Sequence, residues 1–484
     1  MTRKYSDGYR RRTTIDPARQ IAFEVLHKVT TEDAFANIAL PKALREGRQS
    51  GRIDLRDAAF ASELVYGTLR FRGYLDWVIG SHMDRALSLV DPIVVDLLRM
   101  GAHQILHMRV PDHAAVATTV DLGRELLTDG PARFINAVLR SLTRQSEEER
   151  TAALDAISDP TKRLATQYSH PEWMVEAFTD ALRVHRGAPG EIEDLLQADN
   201  VAPIVTLVAR PGLIHPADLA DEAEDILATR VAPGDVSEYA VLLESGDPAA
   251  LPSIREGLAG AQDEGSQLAA LIAAEAPVEG SDSAWLDLCA GPGGKAALVA
   301  SVGAGRGAHL VANEMHPHRA RLVERACQAL DNVEVVAGDG RTFGGKGTSW
   351  PLAHFDRVII DAPCSGMGSM RRRPESRWRR SVRDFDDLLP LQRDLLRRGV
   401  ELTRPGGVLT YVTCSPHVAE TREQVEFLLH EGGVELLDTA SIAATCAVEP
   451  LRGVGTPLGS GTTLQLWEHI DGTDLMFIAC LRKR

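Results

Sequence analysis

The strongest constraint on the fold lies in the second half of the chain, where short apolar runs alternate with helical stretches. From Gln262 onward these runs are SAWLDL, GAHLVANE, NVEVVAGD, FDRVIID, GGVLTYVT and LMFIACLR. Runs that are apolar on both faces and separated by helices are typical of a parallel sheet covered on both sides. Residues 261–484 are therefore predicted to form a doubly wound α/β domain, whose ligands bind beyond the carboxyl ends of the strands.

The first part of the chain has a different and wholly helical pattern. Between residues 15 and 145, apolar side chains recur at i, i+3 and i+4, as in AAFASELVYGTLR and PIVVDLLRMGAHQIL, which predicts a helical bundle. Residues 146–165 are polar and charged, and we expect a helical linker there. Residues 166–260 mix a helix with short strands such as APIVTLVAR, which predicts a small α+β domain. The chain is thus predicted to be multidomain, with a basic tail at residues 1–14.

Composition limits the class of protein. The 484 residues exceed what one ordinary core holds, and no window approaches 18 uninterrupted apolar residues, so we expect no membrane span. The N-terminus lacks the apolar segment of a secretory signal. All six cysteines follow residue 288 without a CxxC pair, which favours free thiols in the cytoplasm over disulfides or a metal site. We expect a monomer that binds no metal.

The net charge of −15 is unfavourable for a nucleic-acid enzyme, but two local patches are strongly basic. One is the N-terminal tail, and the other is RRRPESRWRRSVR, with seven arginines and one acid. An arginine run suits a solvated surface as well as a phosphate backbone, so the run alone leaves both interpretations open. The cationic side chains of the two patches are Arg3, Lys4, Arg10, Arg11 and Arg12 in the tail, and those between Arg371 and Arg383 in the run.

A glycine-rich loop follows the first strand of the predicted sheet. The strand ends in LDLCAGPGGK, where Gly291, Gly293 and Gly294 let the backbone pass close to a ligand and turn into a helix. A P-loop is excluded, because Cys289 and Ala296 stand where Gly and Ser or Thr are needed. The loop alone still suits a nicotinamide dinucleotide, since GPGGKA satisfies a loose GxGxxA pattern.

Acidic residues at the ends of the next three strands favour S-adenosyl-L-methionine. Glu314 ends the second strand, where it is placed to accept both hydroxyls of a ribose. Asp339 closes the third, where it can accept the adenine amino group, and Asp361 closes the fourth. Singly, each acid suits a turn or a helix cap. Together they predict an adenosine site.

Two cysteines follow adjacent strands of the predicted sheet. Cys364 lies three residues after Asp361, and Cys414 lies just after the fifth strand. Because neighbouring strands are about 4.8 Å apart, both thiols can face one small space. Such a pair suits cytosine C5, a poor nucleophile that becomes reactive once a thiolate adds to C6. Asp361 is then placed to hydrogen-bond the ring at N3. The other cysteines are interpreted as small buried hydrophobes: Cys289, Cys327, Cys446 and Cys480.

Several motifs together resemble a known family. LDLCAGPGGK, GDGR, DAPCSGMGSMRRRPE and TCS look like the Sun (Fmu) family of RNA 5-methylcytosine methyltransferases. FASELVYGTLRFRGYLDWVI and RFINAVLRSLTR resemble NusB-type RNA-binding domains, which bacterial members of that family carry at the N-terminus. The resemblance covers nearly the full length of the chain. It implies a Rossmann-like class I methyltransferase domain, S-adenosyl-L-methionine as cofactor, and 16S ribosomal RNA as substrate.

The resemblance also implies roles for individual residues. Cys414 matches the nucleophile of the TCS motif, and Cys364 matches the cysteine that aids product release. The implied cofactor contacts are Cys289, Ala290, Gly291, Pro292, Gly293, Gly294, Lys295, Glu314, Asp339 and Asp361. The arginines expected to contact RNA are Arg371, Arg372, Arg373 and Arg377. Two positions depart from the family pattern, which commonly has Glu-Asn at Glu420-Thr421 and Pro at Glu468.

Four other functions would account for parts of the sequence. A DNA cytosine-C5 methyltransferase would use Cys364 as nucleophile and carry a large recognition region, but only about 70 residues follow Cys414. A non-catalytic RNA-binding or antitermination protein would not need both cysteines, Asp361 and the glycine loop. An NAD-dependent enzyme leaves both cysteine motifs unexplained. A transfer RNA cytosine-C5 methyltransferase stays open, since the motifs do not identify the target RNA.

Overall fold

The computed structural model describes residues 15–453 and 455–484, so the predicted basic tail lies outside the described residues. Contacts divide the chain into two compact units. The first comprises the residues up to Glu172 together with the short segment Arg373–Glu375. The second comprises Trp173–Arg372 and Ser376–Arg484.

The first unit is helical, as the apolar periodicity predicts. Capping side chains mark where its helices begin. The Asp16 carboxylate accepts a hydrogen bond from the Arg19 backbone N–H, and Asp54 and Asp57 form a capping box. The apolar stripes meet in one core that includes fully buried Leu64 and Leu97. The helices are α1 (Pro17–Thr31), α2 (Ala36–Gln49), α3 (Leu55–Arg70), α4 (Arg72–Ser81), α5 (Pro92–Leu106), α6 (Asp112–Leu126), α7 (Asp129–Leu142), α8 (Glu147–Asp155) and α9 (Pro160–Gln167).

The first part of the second unit mixes helices with a small antiparallel sheet of strand order β2-β3-β1-β4. Leu207 of its central strand and Leu219 of the covering helix are both fully buried in the core beneath it. The elements are α10 (Glu172–Arg186), α11 (Ile192–Ala198), β1 (Val205–Ala209), α12 (Pro216–Leu227), β2 (Val231–Pro233), β3 (Ala240–Leu243), α13 (Pro252–Glu256) and β4 (Ala259–Ala261).

The rest of the second unit is built on a nine-stranded sheet of order β11-β12-β13-β9-β8-β5-β6-β7, with β10 paired to β13. Strands β5 to β9 are parallel, which confirms the predicted Rossmann-like fold. The elements are α14 (Glu264–Glu275), β5 (Ala284–Asp287), α15 (Gly294–Ala304), β6 (His309–Glu314), α16 (Pro317–Ala326), β7 (Val333–Ala337), β8 (Phe355–Asp361), α17 (Phe385–Leu402), β9 (Thr403–Thr413), α18 (Arg422–Glu431), β10 (Val434–Leu436), α19 (Thr439–Cys446), β11 (Thr456–Leu458), β12 (Gly461–Gln465), α20 (Glu468–Asp471) and β13 (Phe477–Lys483).

The last strand differs from the simple parallel pattern. β13 runs antiparallel to both of its neighbours, with Ile478 opposite Val412 of β9 and opposite Leu464 of β12. An apolar run has no direction in the sequence, so its composition could not distinguish the two orientations. Among the described helices, none is long and apolar enough to cross a bilayer.

The register of β8 against β9 brings the ends of the two strands together. Asp361 lies opposite Val412, and the Ala362 backbone N–H donates to the Val412 carbonyl oxygen at 2.9 Å. At the other end of β8, the Asp356 carboxylate accepts from the backbone N–H groups of Ser283 and Ala284, both at 2.8 Å. β5, β8 and β9 are thereby aligned, and the residues that follow them lie at one edge of the sheet.

Candidate active site

The two predicted reacting thiols are in direct contact. Cys364 Sγ lies 3.4 Å from Cys414 Sγ, and both side chains are partly exposed at the carboxyl edge of the sheet. The hydrogen bond with Cys414, together with burial, raises the pKa of Cys364 well above its ordinary value. Cys364 is therefore held as a thiol that can donate to the sulfur of Cys414.

The glycine-rich loop packs tightly on the end of β6. The Gly291 backbone N–H donates to Glu314 Oε2 at 3.1 Å, and a Cβ on Gly291 would lie only 2.0 Å from that oxygen. Gly293 has φ +111°, a conformation that side chains rarely adopt, and a Cβ there would lie 2.9 Å from Val323 Cα. Glycine is thus required at position 293, and a side chain at position 291 would displace the Glu314 carboxylate.

Two further predicted residues form an ion pair beneath the thiols. Lys295 Nζ lies 3.0 Å from Asp361 Oδ2. Burial, the largest single effect, lowers the pKa of Lys295, but the neighbouring groups, with Asp361 the foremost, together outweigh burial and raise it. Electrostatic interaction with Cys414 also contributes to the raised pKa of Lys295. The structure therefore brings a cation, a carboxylate and the two thiols to the same edge of the sheet.

The remaining predicted acids differ in their surroundings. Glu314 is buried, and its carboxylate accepts from the backbone N–H groups of Gly291 and His316, the second at 3.0 Å. Asp339 is partly exposed and is held by Arg341, whose side chain lowers the pKa of Asp339. Glu314 is thus oriented by backbone hydrogen bonds, whereas Asp339 is partly exposed and is held by the Arg341 side chain.

Asp287 was missed by the sequence reasoning. It is the last residue of β5, with 0% exposure, and its Oδ1 accepts from the Cys289 backbone N–H at 3.2 Å. Its Oδ2 has no hydrogen-bond partner within the described residues. Burial, with the neighbouring Asp361 carboxylate, raises the pKa of Asp287 to about 7. The signal was the Asp of LDLCAG, an acid inside an otherwise apolar run.

The arginine run requires a correction, because three of the four arginines expected to bind RNA are engaged within the protein. Arg377 has 0% exposure and pairs with Asp199 at 3.0 Å. Arg371 is buried against Asp474 at 3.1 Å. Arg372 also pairs with Asp474, at 3.0 Å. The buried acids of this cluster come from distant parts of the sequence, so composition alone could not reveal that the run is largely internal.

The exposed cations of the run overlap with the predicted RNA-binding arginines at one position. Arg373, Arg380 and Arg383 have exposed side chains. Of the four predicted RNA-binding arginines, Arg373 alone belongs to this exposed set. Phosphates can therefore be reached by these arginines, whereas Arg371 and Arg377 would first have to leave their carboxylates.

Both departures from the family pattern lie at internal contacts. Glu468 is buried, and its Oε1 lies 3.2 Å from Arg371 Nε, so the acid that stands in place of Pro lies against a buried guanidinium. Burial, with the neighbouring Asp199, raises the pKa of Glu468 well above its ordinary value. The Thr421 hydroxyl donates to the His417 carbonyl oxygen at 2.8 Å and lies 3.0 Å from His185 Nε2.

The unusual environment of Asp287 predicts a pH-dependent stability. Because the folded protein holds a proton that the unfolded chain loses above its ordinary pKa of 3.8, the free energy of unfolding falls as pH rises toward 7. Asp287→Asn removes this proton uptake. Between the two pKa values, 3.8 and about 7, we expect the free energy of unfolding of the variant to rise relative to that of the native chain. The rise should be at most about 1.4 kcal/mol per pH unit.

Urea unfolding at pH 5 and pH 8 measures this difference. The exposed Asp331→Asn serves as the matched control and should show the same difference at both pH values. A stability difference for Asp287→Asn that does not change with pH would contradict the assignment of a raised pKa to Asp287.

Comparison with known proteins agrees with this architecture. The profile of the family described as 16S rRNA methyltransferase RsmB/F matches residues 274–482, and that of the NusB family matches residues 16–144. The chain is 46% identical over 476 residues to a Mycobacterium tuberculosis protein that carries a methyltransferase name, covering 98% of both chains. It is 32% identical over 435 residues to the ribosomal RNA small subunit methyltransferase B of Erwinia tasmaniensis, covering 88% of this chain and 92% of the relative.

Solved structures show the same fold at low sequence identity. The crystal structure of PH0851 has a TM-score of 0.78 at 18% identity, covering 97% of this chain and 100% of that one. A methyltransferase homologue from Pyrococcus horikoshii has a TM-score of 0.52 at 20% identity, covering 68% of this chain and 100% of that one. With relatives of this similarity along almost its whole length and both family profiles matched, the chain belongs to the RsmB/F family of 16S rRNA methyltransferases and carries an N-terminal NusB-family domain.

Proposed function

We propose that the protein transfers a methyl group from S-adenosyl-L-methionine to carbon 5 of a cytosine in RNA, with Cys414 as the nucleophile. The observation that carries the proposal is the 3.4 Å contact between Cys364 and Cys414 at the ends of β8 and β9. An RNA methyltransferase that acts on a base nitrogen or a ribose oxygen has no need of paired thiols. The names of the relatives favour small-subunit ribosomal RNA as the substrate.

The residues at the glycine-rich loop fit the cofactor. Glu314 is fixed by the backbone N–H groups of Gly291 and His316, so its carboxylate is oriented before a ribose arrives. Asp339 stands at the end of the next strand, where it would accept the adenine amino group. Asp287 Oδ2, buried and without a partner in the described structure, is available to a donor of the methionine portion. When bound, the cofactor supplies an electrophilic methyl group.

The first chemical step belongs to Cys414. Its thiolate adds to C6 of cytosine, and the electrons of the C5=C6 bond make C5 nucleophilic toward the methyl group. As electron density develops at N3, that nitrogen takes up a proton from water, and the Asp361 carboxylate accepts a hydrogen bond from the new N3–H; the proton leaves again when the C4=N3 bond re-forms after methyl transfer. Lys295 Nζ donates to Asp361 Oδ2 at 3.0 Å and so holds the carboxylate in place. Lys295 also places a positive charge near the attacking sulfur, which favours the thiolate.

The last step releases the product. The proton on C5 passes to water, its bonding electrons restore the C5=C6 bond, and the electrons of the C6–S bond return to the sulfur of Cys414. Cys364 donates a hydrogen bond to that departing sulfur, because its raised pKa keeps it as a thiol. The protonated neighbour thus makes Cys414 a better leaving group.

RNA contact is assigned to the exposed arginines of the run rather than to its buried members. Arg373, Arg380 and Arg383 present their side chains to solvent. Arg371, Arg372 and Arg377 instead hold the segment after Cys364 through carboxylates of the same unit. Local positive charge at the exposed side chains offsets the net charge of −15 where RNA binds.

The proposed roles of the two thiols predict different phenotypes. Cys414→Ala should abolish methylation and form no covalent RNA adduct, because no thiolate attacks C6. Cys364→Ala should still attack and transfer the methyl group, but the product should stay bonded to Cys414. On a denaturing gel, only Cys364→Ala should give a slow-migrating protein–RNA species, and the double variant should lose it.

Small-subunit ribosomal RNA and transfer RNA are offered in parallel in that experiment. An adduct with ribosomal RNA alone supports the proposed substrate, and an adduct with transfer RNA alone would replace it. If the adduct appeared in Cys414→Ala instead, attack would come from the end of β8, as in a DNA cytosine-C5 enzyme. If both single variants kept full activity and formed no adduct, covalent catalysis by these cysteines would be ruled out.

The exposed arginines predict a change in salt dependence. Replacing Arg380 and Arg383 with Gln should weaken RNA binding and reduce the slope of log affinity against log salt by about one unit per lost phosphate contact. A charge-matched control replaces Arg230 and Arg255, exposed residues outside the run, and should leave the slope unchanged. If the native chain and the Arg380/Arg383 variant gave equal salt slopes, the run would be a solvated surface that does not contact phosphates.

A further inference from the structure

A buried glutamate holds the segment of the chain that carries Cys364. Glu420 follows β9 by a short turn, six residues after Cys414, and has 0% exposure. Its Oε1 accepts from the Ser365 backbone N–H at 2.7 Å and from Gln392 Nε2 at 3.2 Å. Its Oε2 accepts from the Ser365 hydroxyl at 2.5 Å. The carboxylate therefore holds the residue that follows Cys364 by two bonds.

The same network holds the other side of Cys364. Gln392 Nε2 also donates to the Pro363 carbonyl oxygen at 2.9 Å. Both neighbours of Cys364 in the sequence are thus fixed by side chains that meet at Glu420. These bonds therefore hold the backbone on both sides of the Cys364 thiol.

The network reaches the second thiol less directly. The Ser365 hydroxyl lies 3.1 Å from the Ser415 hydroxyl, next to Cys414. Cys414 has independent supports as well, since its carbonyl oxygen accepts from the Gly368 backbone N–H at 2.9 Å and the Thr413 hydroxyl donates to the Ser415 carbonyl oxygen at 3.1 Å. Loss of Glu420 should therefore displace Cys364 more than Cys414.

Packing alone does not account for a carboxylate at this position. Burying an acid is unfavourable unless every oxygen is hydrogen-bonded. An apolar side chain would fill the same volume at a lower cost in free energy. Here both oxygens are used, and all of the donors belong to residues that frame Cys364. The negative charge also acts on Cys364, adding to the effect of the Cys414 hydrogen bond and of burial in raising its pKa.

We propose that Glu420 is a positioning residue for product release: it holds the Cys364 thiol against the sulfur of Cys414 so that Cys364 can donate to it as the C6–S bond breaks. This proposal rests on the proposed covalent mechanism. It assigns Glu420 no contact with RNA or cofactor, and it predicts a defect confined to the step in which Cys364 acts.

The test compares release with methyl transfer in one assay. Glu420→Ala should retain first-turnover methyl transfer but slow steady-state turnover by about tenfold, as expected for the loss of one charge-assisted hydrogen bond. The protein–RNA adduct should accumulate on a denaturing gel. Glu420→Gln, which keeps an acceptor for the Ser365 N–H, should restore most of the turnover. The exposed Glu423→Ala is the matched control and should behave as the native chain.

A merely structural role gives a different result. If Glu420→Ala only loosened the fold, methyl transfer and adduct would fall together, which would overturn the proposal. Should that variant fail to fold, Ser365→Ala removes the hydroxyl bonds to Glu420 and Ser415 and should give a weaker accumulation of adduct. Absence of accumulation in a folded Ser365→Ala would also overturn it.

The same gel separates this proposal from the mechanism on which it rests. Cys364→Ala is run beside the Glu420 variants. If the adduct accumulates in Cys364→Ala but in none of the Glu420 and Ser365 variants, the positioning role of Glu420 is overturned. The covalent mechanism is then still supported. No adduct in Cys364→Ala, with its activity retained, overturns the covalent mechanism itself.

Discussion

The parallel pairing of β8 with β9 is the constraint on which the rest of the site depends. Its register places Asp361 opposite Val412, so that the loops leaving both strands begin at the same edge of the sheet. The 3.4 Å contact between Cys364 and Cys414 follows from that alignment. Without it, neither the nucleophile nor the group proposed to release the product would have its partner, whatever the identity of the remaining side chains.

Much of this arrangement could be predicted from the sequence, because parallel strands bring their carboxyl ends together. The apolar runs predicted the strands, and the positions just after them predicted which side chains would meet. Glu314 and Cys414 fall where that rule puts them. The glycines of the loop were predicted for the same reason, and the structure adds why they are needed: a Cβ on Gly291 would overlap the Glu314 carboxylate.

What could not be predicted depends on contacts between distant parts of the chain. Arg377 is expected from the sequence to contact RNA, but the structure buries it against Asp199, 178 residues earlier in the chain. Glu420 was noted only for its neighbour Thr421, whereas its function as we infer it rests on Ser365, 55 residues earlier. Local composition does not carry such pairings, and in both cases the missing information was which opposite charge or donor the fold supplies.

The covalent bond between Cys414 and cytosine C6 is the central claim, and trapping that bond tests it most directly. An RNA substrate with 5-fluorocytidine at the target should react once and stop, because fluorine cannot leave C5 as a proton does. After digestion, mass spectrometry should find the methylated, fluorinated nucleotide on the peptide that contains Cys414. Finding it on the peptide that contains Cys364, or finding methylated RNA with no bound peptide, would contradict the account.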